Sequence, residues 1–550
     1  MKGKILAGAL GNCVHVAGVV SILRQAEELG YETVFLGAAV PVDEFIEAVQ
    51  EHDPDIVGVS YRLSPEVAER LLADFTDKLK PADRQRRFAF GGTPPVCRIA
   101  EQTGLFERCF DGLEHMGETI AWLGGKSECL EQRYCDSLSE RIAAAGSIPL
   151  LRHHFGLPDF EQTRAGIEEI ATARVLDVIS LAPDQNAQES FFRPSSMDPM
   201  LEGAGGVPVR SREQLEALKQ ASRRGNFPLM RIYSGTRDLV QWAELSAATI
   251  NNAWGAIPLC WYSTLDGRSD RLPETAIREN QEAMRWYGSR SIPLEVNESH
   301  HWSLRDAHDT IAVVMAYLAA YNAKAAGVSE YVAQYMFNTP PMTSATMDLA
   351  KMLAKIELIE SLHDESFHSW RQARAGLLHL SPRENVAKGQ LAASTAIALQ
   401  IKPHIIHVVG FCEGDHAATA PDVIESCDIV HGVMRNLLNG QPDMLNNAEV
   451  QARKTVLVSE ANQLLEAIRC LGEEEERDPL ASPRVLAEAI RIGLLDAPHL
   501  RGHSDAAGIL DTRAVNGAIV AWDKAAKRPL TEKERIAKIM ANRKTAVWAI

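Results

Sequence analysis

The sequence predicts an α/β protein in which an open parallel sheet is followed by a (β/α)8 barrel and a mainly helical C-terminal segment. Short apolar runs alternate with helical patterns through the first 125 residues. The alternation resumes near residue 148 and continues for eight or nine units, and beyond about residue 456 the apolar spacing becomes helical. Strands that alternate with helices form parallel sheets whose faces the helices cover. So many units in succession fit a closed barrel better than a second open sheet.

The first region, residues 1–125, is expected to be a flavodoxin-like domain. Its predicted strands are 4–10, 33–36, 56–60 and 87–90, and its predicted helices are 16–29, 42–51, 65–79 and 114–123. Ligands of such sheets bind at the carboxyl ends of the strands. We therefore look for functional residues directly after each strand.

The rest of the chain divides into a linker, a barrel and an extension. Residues 126–147 are polar and contain Ala and Gly, and we interpret them as the linker. Residues 148–455 are predicted to form a TIM-type barrel with the catalytic site, and residues 456–550 form a C-terminal extension. The candidate barrel strands are 148–153, 176–181, 207–210, 229–234, 256–261, 294–298, 330–334, 367–371 and 405–410.

The composition excludes several classes of protein. Hydrophobic residues make up 46% of the 550 residues and charged residues 24%, as in folded domains with sizeable cores. A net charge of −16 gives no general attraction for phosphate backbones. No segment reaches the ~20 apolar residues of a membrane helix, and no cleavage signal follows the first residues. The nine cysteines form no CxxC pair. We expect a cytoplasmic protein with neither nucleic-acid nor membrane partners.

Three segments stand out at the predicted strand ends of the first domain. They are Gly11-Asn-Cys13-Val-His15-Val-Ala-Gly18, Ser60-Tyr-Arg62-Leu-Ser64 and Gly91-Gly92. Imidazole is a good nitrogen donor to a transition metal, and a loop lets it project from the sheet edge. Glycines allow a bulky ligand to approach the backbone. An alternative without any ligand is a Rossmann-like domain that contains an ordinary histidine.

In their order and spacing, these segments resemble the cobalamin-binding domain shared by methionine synthase and the small subunit of glutamate mutase. That fingerprint is Asp-x-His-x-x-Gly, then Ser-x-Leu, then Gly-Gly. The resemblance implies that the domain binds cobalamin and that His15 is the lower axial ligand of cobalt. It also implies a group of cofactor-binding residues: Cys13, Gly18, Ser60, Ser64, Gly91 and Gly92.

Two positions depart from the fingerprint, because Cys13 replaces the Asp and Arg62 replaces the Leu. The Asp of the family accepts a hydrogen bond from the second imidazole nitrogen and so fixes the tautomer. A thiol does this poorly. Three alternatives stay open: Cys13 ionises, Asn12 takes over the contact, or His15 binds cobalt weakly.

Parts of the barrel are similar to the large subunit of glutamate mutase. These parts are Phe367-His-Ser-Trp370-Arg, residues 404–409 leading into Glu413, and Leu510-Asp-Thr-Arg-Ala-Val-Asn516-Gly. The resemblance implies an adenosylcobalamin-dependent carbon-skeleton mutase, a radical isomerase, with Glu413 bound to the adenosyl ribose. No helical cap precedes the first strand, so we expect the barrel to cover the corrin. That arrangement favours adenosylcobalamin over methylcobalamin.

The predicted substrate residues differ from those of glutamate mutase. His154, Gln185 and Tyr233 align with the arginines with which that enzyme grips two carboxylates. We therefore expect a small carboxylic acid other than glutamate, with one carboxylate near Arg231. Arg152 and Arg231 could take over from the missing arginines only if the alignment slips by two residues.

Three residues are candidates for catalysis at the barrel strands: Glu298, His300 and His368. His300 or His301 is the candidate for substrate binding or proton transfer. His368 is expected at a strand end that faces the barrel mouth. A metal site is less well supported, because neighbouring His300 and His301 on a strand would point to opposite faces. His407 and Cys412 likewise lack a third ligand at a diagnostic spacing.

Two other functions stay open beside the isomerase. One is a corrinoid methyltransferase, and the other is a non-catalytic cobalamin-binding protein. The expected partners are a small-molecule substrate and further copies of the chain, in a homo-oligomer such as a dimer.

Overall fold

The computed structural model describes residues 3–111, 119, 122–123, 134–233, 235–438, 440–474 and 476–547. It divides into two compact units, residues 1–130 and residues 131–550.

The N-terminal unit is built on a five-stranded parallel sheet, with strand order β2-β1-β3-β4-β5. The strands are β1 (Lys4–Leu10), β2 (Glu32–Val40), β3 (Ile56–Tyr61), β4 (Arg87–Gly92) and β5 (Arg108–Phe110). The helices are α1 (Ala17–Glu28), α2 (Val42–His52), α3 (Pro65–Lys78) and α4 (Pro94–Gln102). The chain passes from β1 outward to β2 and then back to β3, so the strand order reverses between β1 and β3. Ligands of such sheets bind in the crevice at this reversal. The predicted flavodoxin-like sheet is confirmed.

Two elements of this unit were not predicted. Helix α4 begins at Pro94, two residues after the end of β4 at Gly92, and proline is well suited to the first turn of a helix. Strand β5 has only three residues. Most of the predicted helix at 114–123 lies outside the described residues.

The second unit contains eight parallel strands in the order β8-β7-β6-β13-β12-β11-β10-β9. They are β6 (Leu150–Phe155), β7 (Val178–Leu181), β8 (Leu229–Ile232), β9 (Gly255–Ile257), β10 (Leu294–Val296), β11 (Glu330–Phe337), β12 (His368–Ala375) and β13 (Ile405–His407). The last strand pairs with the first, with Ile405 opposite Leu150. The ladder is interrupted between β8 and β9, where the Ala253 N–H donates to the Met230 carbonyl at 2.9 Å. The predicted (β/α)8 barrel is confirmed as this nearly closed cylinder.

Helices surround the barrel and follow most of its strands. They are α5 (Leu138–Ala145), α6 (Phe160–Ala173), α7 (Gln185–Ser190), α8 (Arg212–Ala221), α9 (Leu239–Ile250), α10 (Pro273–Gly288), α11 (Ser299–Ser303), α12 (Asp309–Ala325), α13 (Ala345–Glu360), α14 (Glu384–Ala398) and α15 (Ala420–Leu437). No described helix combines the length and the apolar character that crossing a membrane requires.

Of the nine candidate barrel strands, the one at 207–210 is not a strand. Val207 forms one isolated bridge with Pro183, in the long connection between β7 and α8. Pro208 has no N–H to donate to a ladder, which limits the pairing to that single position.

The stretch interpreted as a linker contains α5, which packs against the barrel. Leu138 and Ile142 lie in one apolar cluster with Leu150, near the start of β6. The buried Arg141 donates to the carbonyl oxygens of Asn226 and Phe227, at 3.2 Å and 2.8 Å. This helix therefore covers the amino-terminal end of the barrel.

The C-terminal part is mainly helical, as predicted, and also contains a small antiparallel sheet. Its helices are α16 (Ala448–Arg469), α17 (Pro483–Ile492) and α18 (Glu532–Val547), and its strands are β14 (Thr512–Val515), β15 (Ala518–Asp523) and β16 (Arg528–Pro529). Asn516 and Gly517 join β14 to β15 with φ of 50° and 78°. An Asn-Gly pair of this kind is a strong hairpin signal that the helical interpretation overlooked.

Candidate functional site

A row of small residues crosses three neighbouring strands of the N-terminal sheet. Ala7 on β1 lies opposite Gly58 on β3, and Gly58 lies opposite Ala89 on β4. One row further toward the carboxyl ends, Ser60 lies opposite Gly91. These residues and part of α1 line a cavity of about 410 Å³. The small side chains therefore leave a slot between the sheet and the helix.

The two adjacent glycines at the end of β4 have different roles. A Cβ atom on Gly91 would meet only the Ser60 side chain, with its Oγ at 3.8 Å, and one on Gly18 would meet nothing within 4 Å. Side chains at these positions would extend into space that a ligand can use. A Cβ on Gly92 would lie 2.9 Å from the Tyr61 carbonyl oxygen. Sheet packing thus requires Gly92, whereas Gly91 keeps the slot open.

His15 lies on the loop between β1 and α1, exposed and two residues after the buried Cys13. The His15 Nδ1 is 3.9 Å from the Cys13 Sγ. The Cys13 carbonyl accepts from the Ala39 N–H at 2.8 Å, which anchors the loop to β2. Asn12 is already engaged, because its Oδ1 accepts from the Tyr61 hydroxyl at 3.1 Å. Of the residues considered for the second imidazole nitrogen, Cys13 is the one beside it.

The interior of the barrel is polar. Arg152 on β6 donates to Ser180 Oγ and Gln372 Oε1, each at 2.7 Å, and to His154 Nε2 at 2.9 Å. It also lies 3.6 Å from the carboxylate of Glu295 on β10. Because these partners come from strands around the cylinder, their side chains meet at its centre. Burial, followed by the charge of Arg231, lowers the pKa of Arg152 to about 9, so it stays protonated at neutral pH.

Arg231 on β8 is fully buried in the same layer. None of its guanidinium nitrogens has a hydrogen-bond partner among the described residues. Its nearest anion is Glu295, at 3.6 Å, and its guanidinium carbon lies 4.7 Å and 5.1 Å from the ring centroids of Tyr233 and Trp254. Burial acts to raise the pKa of Glu295, but the two arginines outweigh it and keep that carboxyl ionised. Arg152 and Arg231 together therefore exceed Glu295 by one positive charge.

A second layer, nearer the carboxyl ends of the strands, contains His154, Tyr233 and His407. The His154 ring stacks on Tyr233 with centroids 4.7 Å apart, and it meets His407 edge-on at 4.5 Å. The Tyr233 hydroxyl is 2.5 Å from His154 Nε2. Burial holds the pKa of His154 and His407 well below the ordinary range, so both rings are neutral. Arg152 lies one layer deeper than His154, on the same face of β6, because alternate strand residues share a face.

His300 and His301 lie on α11, after β10, and not on a strand. Their rings are 4.4 Å apart, which corrects the expectation that the two would face opposite ways. The amide nitrogen of Gln334 is 2.8 Å from His300 Nδ1. Burial lowers the pKa of both histidines well below the ordinary value, so both are neutral.

Glu298 supports the backbone of the barrel. Its carboxylate accepts from the N–H groups of Leu259 and Cys260, at 2.7 Å and 3.0 Å, and from the Trp302 indole at 2.8 Å. These three contacts hold the segment after β9. Its candidacy for catalysis stays a prediction.

His368 is not at the barrel mouth, because it is the first residue of β12 and the strand ends at Ala375. It packs edge-on against Trp370, whose indole donates to Glu330 at 3.2 Å. The apolar run that predicted a strand at 367–371 marks only the beginning of β12. His368 therefore lies at the amino-terminal end, opposite the end where barrel sites form.

Three further predicted residues lie outside the polar interior and the slot. Gln185 begins α7, after β7, and is exposed. Ser64 does not line the slot, and its hydroxyl bonds to Glu66 at 2.5 Å. Glu413 follows β13, where its Oε1 accepts from the Gly410 N–H at 2.8 Å.

Several residues of the slot and the interior were not predicted as site residues. They are Ala7, Gly58, Ala89, Trp254, Glu295, Gln334 and Gln372. Small residues recurring at every second position of a strand were a usable signal for Gly58 and Ser60. Polar residues at every second position, as in Gln372 and Arg374, were a weaker signal for the barrel interior.

The N-terminal unit matches known cobalamin-related proteins. Residues 3–119 match the family model of the B12 binding domain. The glutamate mutase sigma subunits 2 and 1 of Haloarcula marismortui are 36% identical over 56 residues and 32% identical over 60 residues. These alignments cover 10% and 11% of this chain, and only 38% and 40% of those relatives.

A solved structure is also similar. It is a cobalamin-binding protein from Desulfitobacterium hafniense, 27% identical, covering 19% of this chain and 51% of that one, with a TM-score of 0.17. The family match falls within the unit that contains the slot and His15.

Proposed function

We propose that the protein is an adenosylcobalamin-dependent isomerase that rearranges the carbon skeleton of a small monocarboxylic acid, on the basis of the match of residues 3–119 to the B12 binding domain. The observation that carries the proposal is Arg231, a fully buried guanidinium without a hydrogen-bond partner among the described residues. Such a group is costly to bury unless an anion pairs with it.

The residues of the N-terminal unit fit the cofactor. The slot beside Ser60 and Gly91 has room and an apolar floor for the nucleotide tail, and Gly18 leaves the entrance to α1 free. His15 offers Nε2 to cobalt, because Nδ1 faces Cys13. Val14, 63% exposed beside it, offers an apolar contact for the corrin. Adenosylcobalamin supplies, when bound, a carbon-centred radical that removes a hydrogen atom from an unactivated carbon.

The charge balance of the barrel supports one carboxylate in the substrate. The excess of one positive charge at Arg152, Arg231 and Glu295 matches a single anion. A guanidinium fork binds a carboxylate through two parallel hydrogen bonds. The layer above contains the neutral His154 and Tyr233, and its nearest cation is Arg374 on β12, opposite His407. We therefore place one substrate carboxylate at Arg231.

Neutral side chains of the interior can hold the rest of the substrate. His300 is fixed through Nδ1 by Gln334, so its Nε2 is the nitrogen that can exchange a proton. His154 and His407 are buried and uncharged, so they exclude water while offering hydrogen bonds. A reaction through reactive radicals needs such exclusion of water.

The proposal is tested with the full-length protein, incubated anaerobically with adenosylcobalamin and a panel of small monocarboxylic and dicarboxylic acids. We expect a paramagnetic resonance signal and a rearranged product with a monocarboxylic acid. Arg231→Met should lower kcat/KM at least ~100-fold, since hydrogen bonds between charged groups contribute about 1.5–3 kcal/mol each. Arg212→Met, at an exposed ion pair with Glu216, is the matched control. Methyl transfer without a paramagnetic signal from any acid would overturn the proposal.

A further inference from the structure

Three side chains with different metal-binding groups converge after β13. Cys412 lies on the turn at 411–414, His416 follows it, and Asp422 lies in the first turn of α15. Their donor atoms all lie within 4.8 Å of one another. His416 Nε2 and Asp422 Oδ2 are 3.5 Å apart. The site thus combines a thiol, an imidazole and a carboxylate at the carboxyl end of a barrel strand.

The backbone holds two of these groups in place. Cys412 is 3% exposed. Within the part of the chain that the structure describes, its Sγ has a hydrogen-bond contact only with its own backbone. Asp422 closes a capping box, in which its Oδ2 accepts from the Thr419 N–H at 2.9 Å and from the Thr419 hydroxyl at 2.6 Å. The cap fixes the carboxylate and leaves its Oδ1 available. A buried thiol therefore faces an anchored carboxylate.

His416 is oriented by a second carboxylate. Its Nδ1 is 3.0 Å from Asp415 Oδ2, while its Nε2 faces Asp422. Histidines that bind metals typically donate the remote ring N–H to a carboxylate, which sets the tautomer and the ring orientation. The pair His416 and Asp415 has this arrangement.

The charges around the thiol also call for a cation. The carboxylates of Asp422, Glu413 and Asp415 all lie close enough to the Cys412 thiol to act on it electrostatically. His416 is the imidazole inside this cluster. Lys388 lies over the Phe411 ring and pairs with Glu384 and Glu425. Three carboxylates thus lie around the thiol and the imidazole, and a bound cation would balance their negative charge.

We propose that Cys412, His416 and Asp422 bind a Zn²⁺ ion. Thiolate, imidazole and carboxylate are the three ligand types that zinc takes in proteins. Bonds of roughly 2.0–2.3 Å in a tetrahedron bring ligand atoms within roughly 3–4 Å of one another, as for His416 and Asp422 already. Three protein ligands leave the fourth position for water or a thiol, which is the pattern of catalytic and not of structural zinc sites.

The test measures zinc alone, in the full-length protein without cobalamin or substrate, so its outcome is independent of the proposed isomerase reaction. Zinc content after dialysis is measured by elemental analysis, and affinity by competition with a chromophoric chelator. We expect one zinc ion per chain to bind at this site, in addition to any zinc that binds elsewhere. Cys412→Ser and His416→Ala should each weaken binding at least ~100-fold, and Asp415→Asn about 10- to 100-fold.

Cys427→Ser is the matched control, because Cys427 is another buried thiol, on α15, and should keep full affinity. Circular dichroism shows whether each variant folds. Where Cys412→Ser does not fold, the exposed His416→Ala variant decides the question. Absence of stoichiometric zinc in the native chain, or unchanged affinity in folded Cys412→Ser or His416→Ala, would overturn the proposal.

Discussion

Replacing each of the two glycines at the end of β4 should separate cofactor binding from folding. In Gly91→Ala the new Cβ meets only the Ser60 side chain, with its Oγ at an ordinary contact of 3.8 Å, so stability should change by less than about 0.5 kcal/mol. Gly91→Leu should keep the fold and fill part of the 410 Å³ slot. We expect it to weaken cobalamin binding at least ~10-fold, equivalent to about 1.4 kcal/mol.

Gly92→Ala should show the opposite pattern. Its Cβ would lie 2.9 Å from the Tyr61 carbonyl oxygen and 2.8 Å from Phe90 Cε1, and overpacking of this kind costs about 1–3 kcal/mol. For a unit of this size, each kcal/mol lowers Tm by roughly 3–5 °C. Calorimetry measures Tm, and titration with aquacobalamin, followed by absorbance, measures affinity. Native affinity in Gly91→Leu, or native Tm in Gly92→Ala, would refute this account of the slot.

Three further predictions concern named side chains. His15→Ala should change the visible spectrum of bound cobalamin to that of a cobalt without a protein ligand, and Cys13→Asp should strengthen the imidazole ligation. Burial, followed by the charge of a neighbouring lysine, lowers the pKa of Lys355 to about 7. Below this pKa the folded state carries a buried charge, so Lys355→Met should be more stable by about 1–4 kcal/mol near pH 6.5 in urea unfolding. His300→Ala should lower kcat about 100-fold, as expected for a proton-transfer residue, whereas His368→Ala should leave kcat within about twofold.

The expected pH dependence for Lys355 has a definite sign. Between pH 7 and its ordinary pKa of 10.5 the unfolded chain binds more protons than the folded one, so native stability rises with pH through this window. The advantage of Lys355→Met should therefore shrink as the pH approaches 10. An advantage that stays constant would contradict the assignment. An unchanged cobalamin spectrum in His15→Ala would contradict axial ligation, and equal losses in His300→Ala and His368→Ala would contradict their placement at opposite ends of the barrel.

Most of the fold could be predicted because its signals are local. Apolar runs mark the strands of both sheets, Gly91 directly follows the run at 87–90, and His15 lies on the loop after the run at 4–10. Val207 shows the limit of this approach, since a short apolar run around a proline is a strand only if a neighbouring backbone is free to pair with it.

The barrel interior was harder to predict, because its residues become neighbours only through closure of the cylinder. Arg152, Glu295 and Gln372 are up to 220 residues apart in sequence, yet they share one layer. The polar alternation of β12 is also the pattern of a half-exposed strand, so it gives no indication of a buried interior. His416 and Asp422 were missed for a similar reason, since a turn and a helix cap bring them together rather than a diagnostic spacing.

The interrupted ladder between β8 and β9 gives the barrel a preferred line of deformation. A cylinder of continuous ladders resists widening equally in all directions, whereas this one can open where few backbone hydrogen bonds cross, such as the bond from Ala253 to Met230. Arg231 lies on β8, at the edge of that seam, while Arg152 and Gln372 lie on strands paired on both sides. Widening would therefore move one arginine relative to the other, and amide hydrogen exchange should be fastest along this edge.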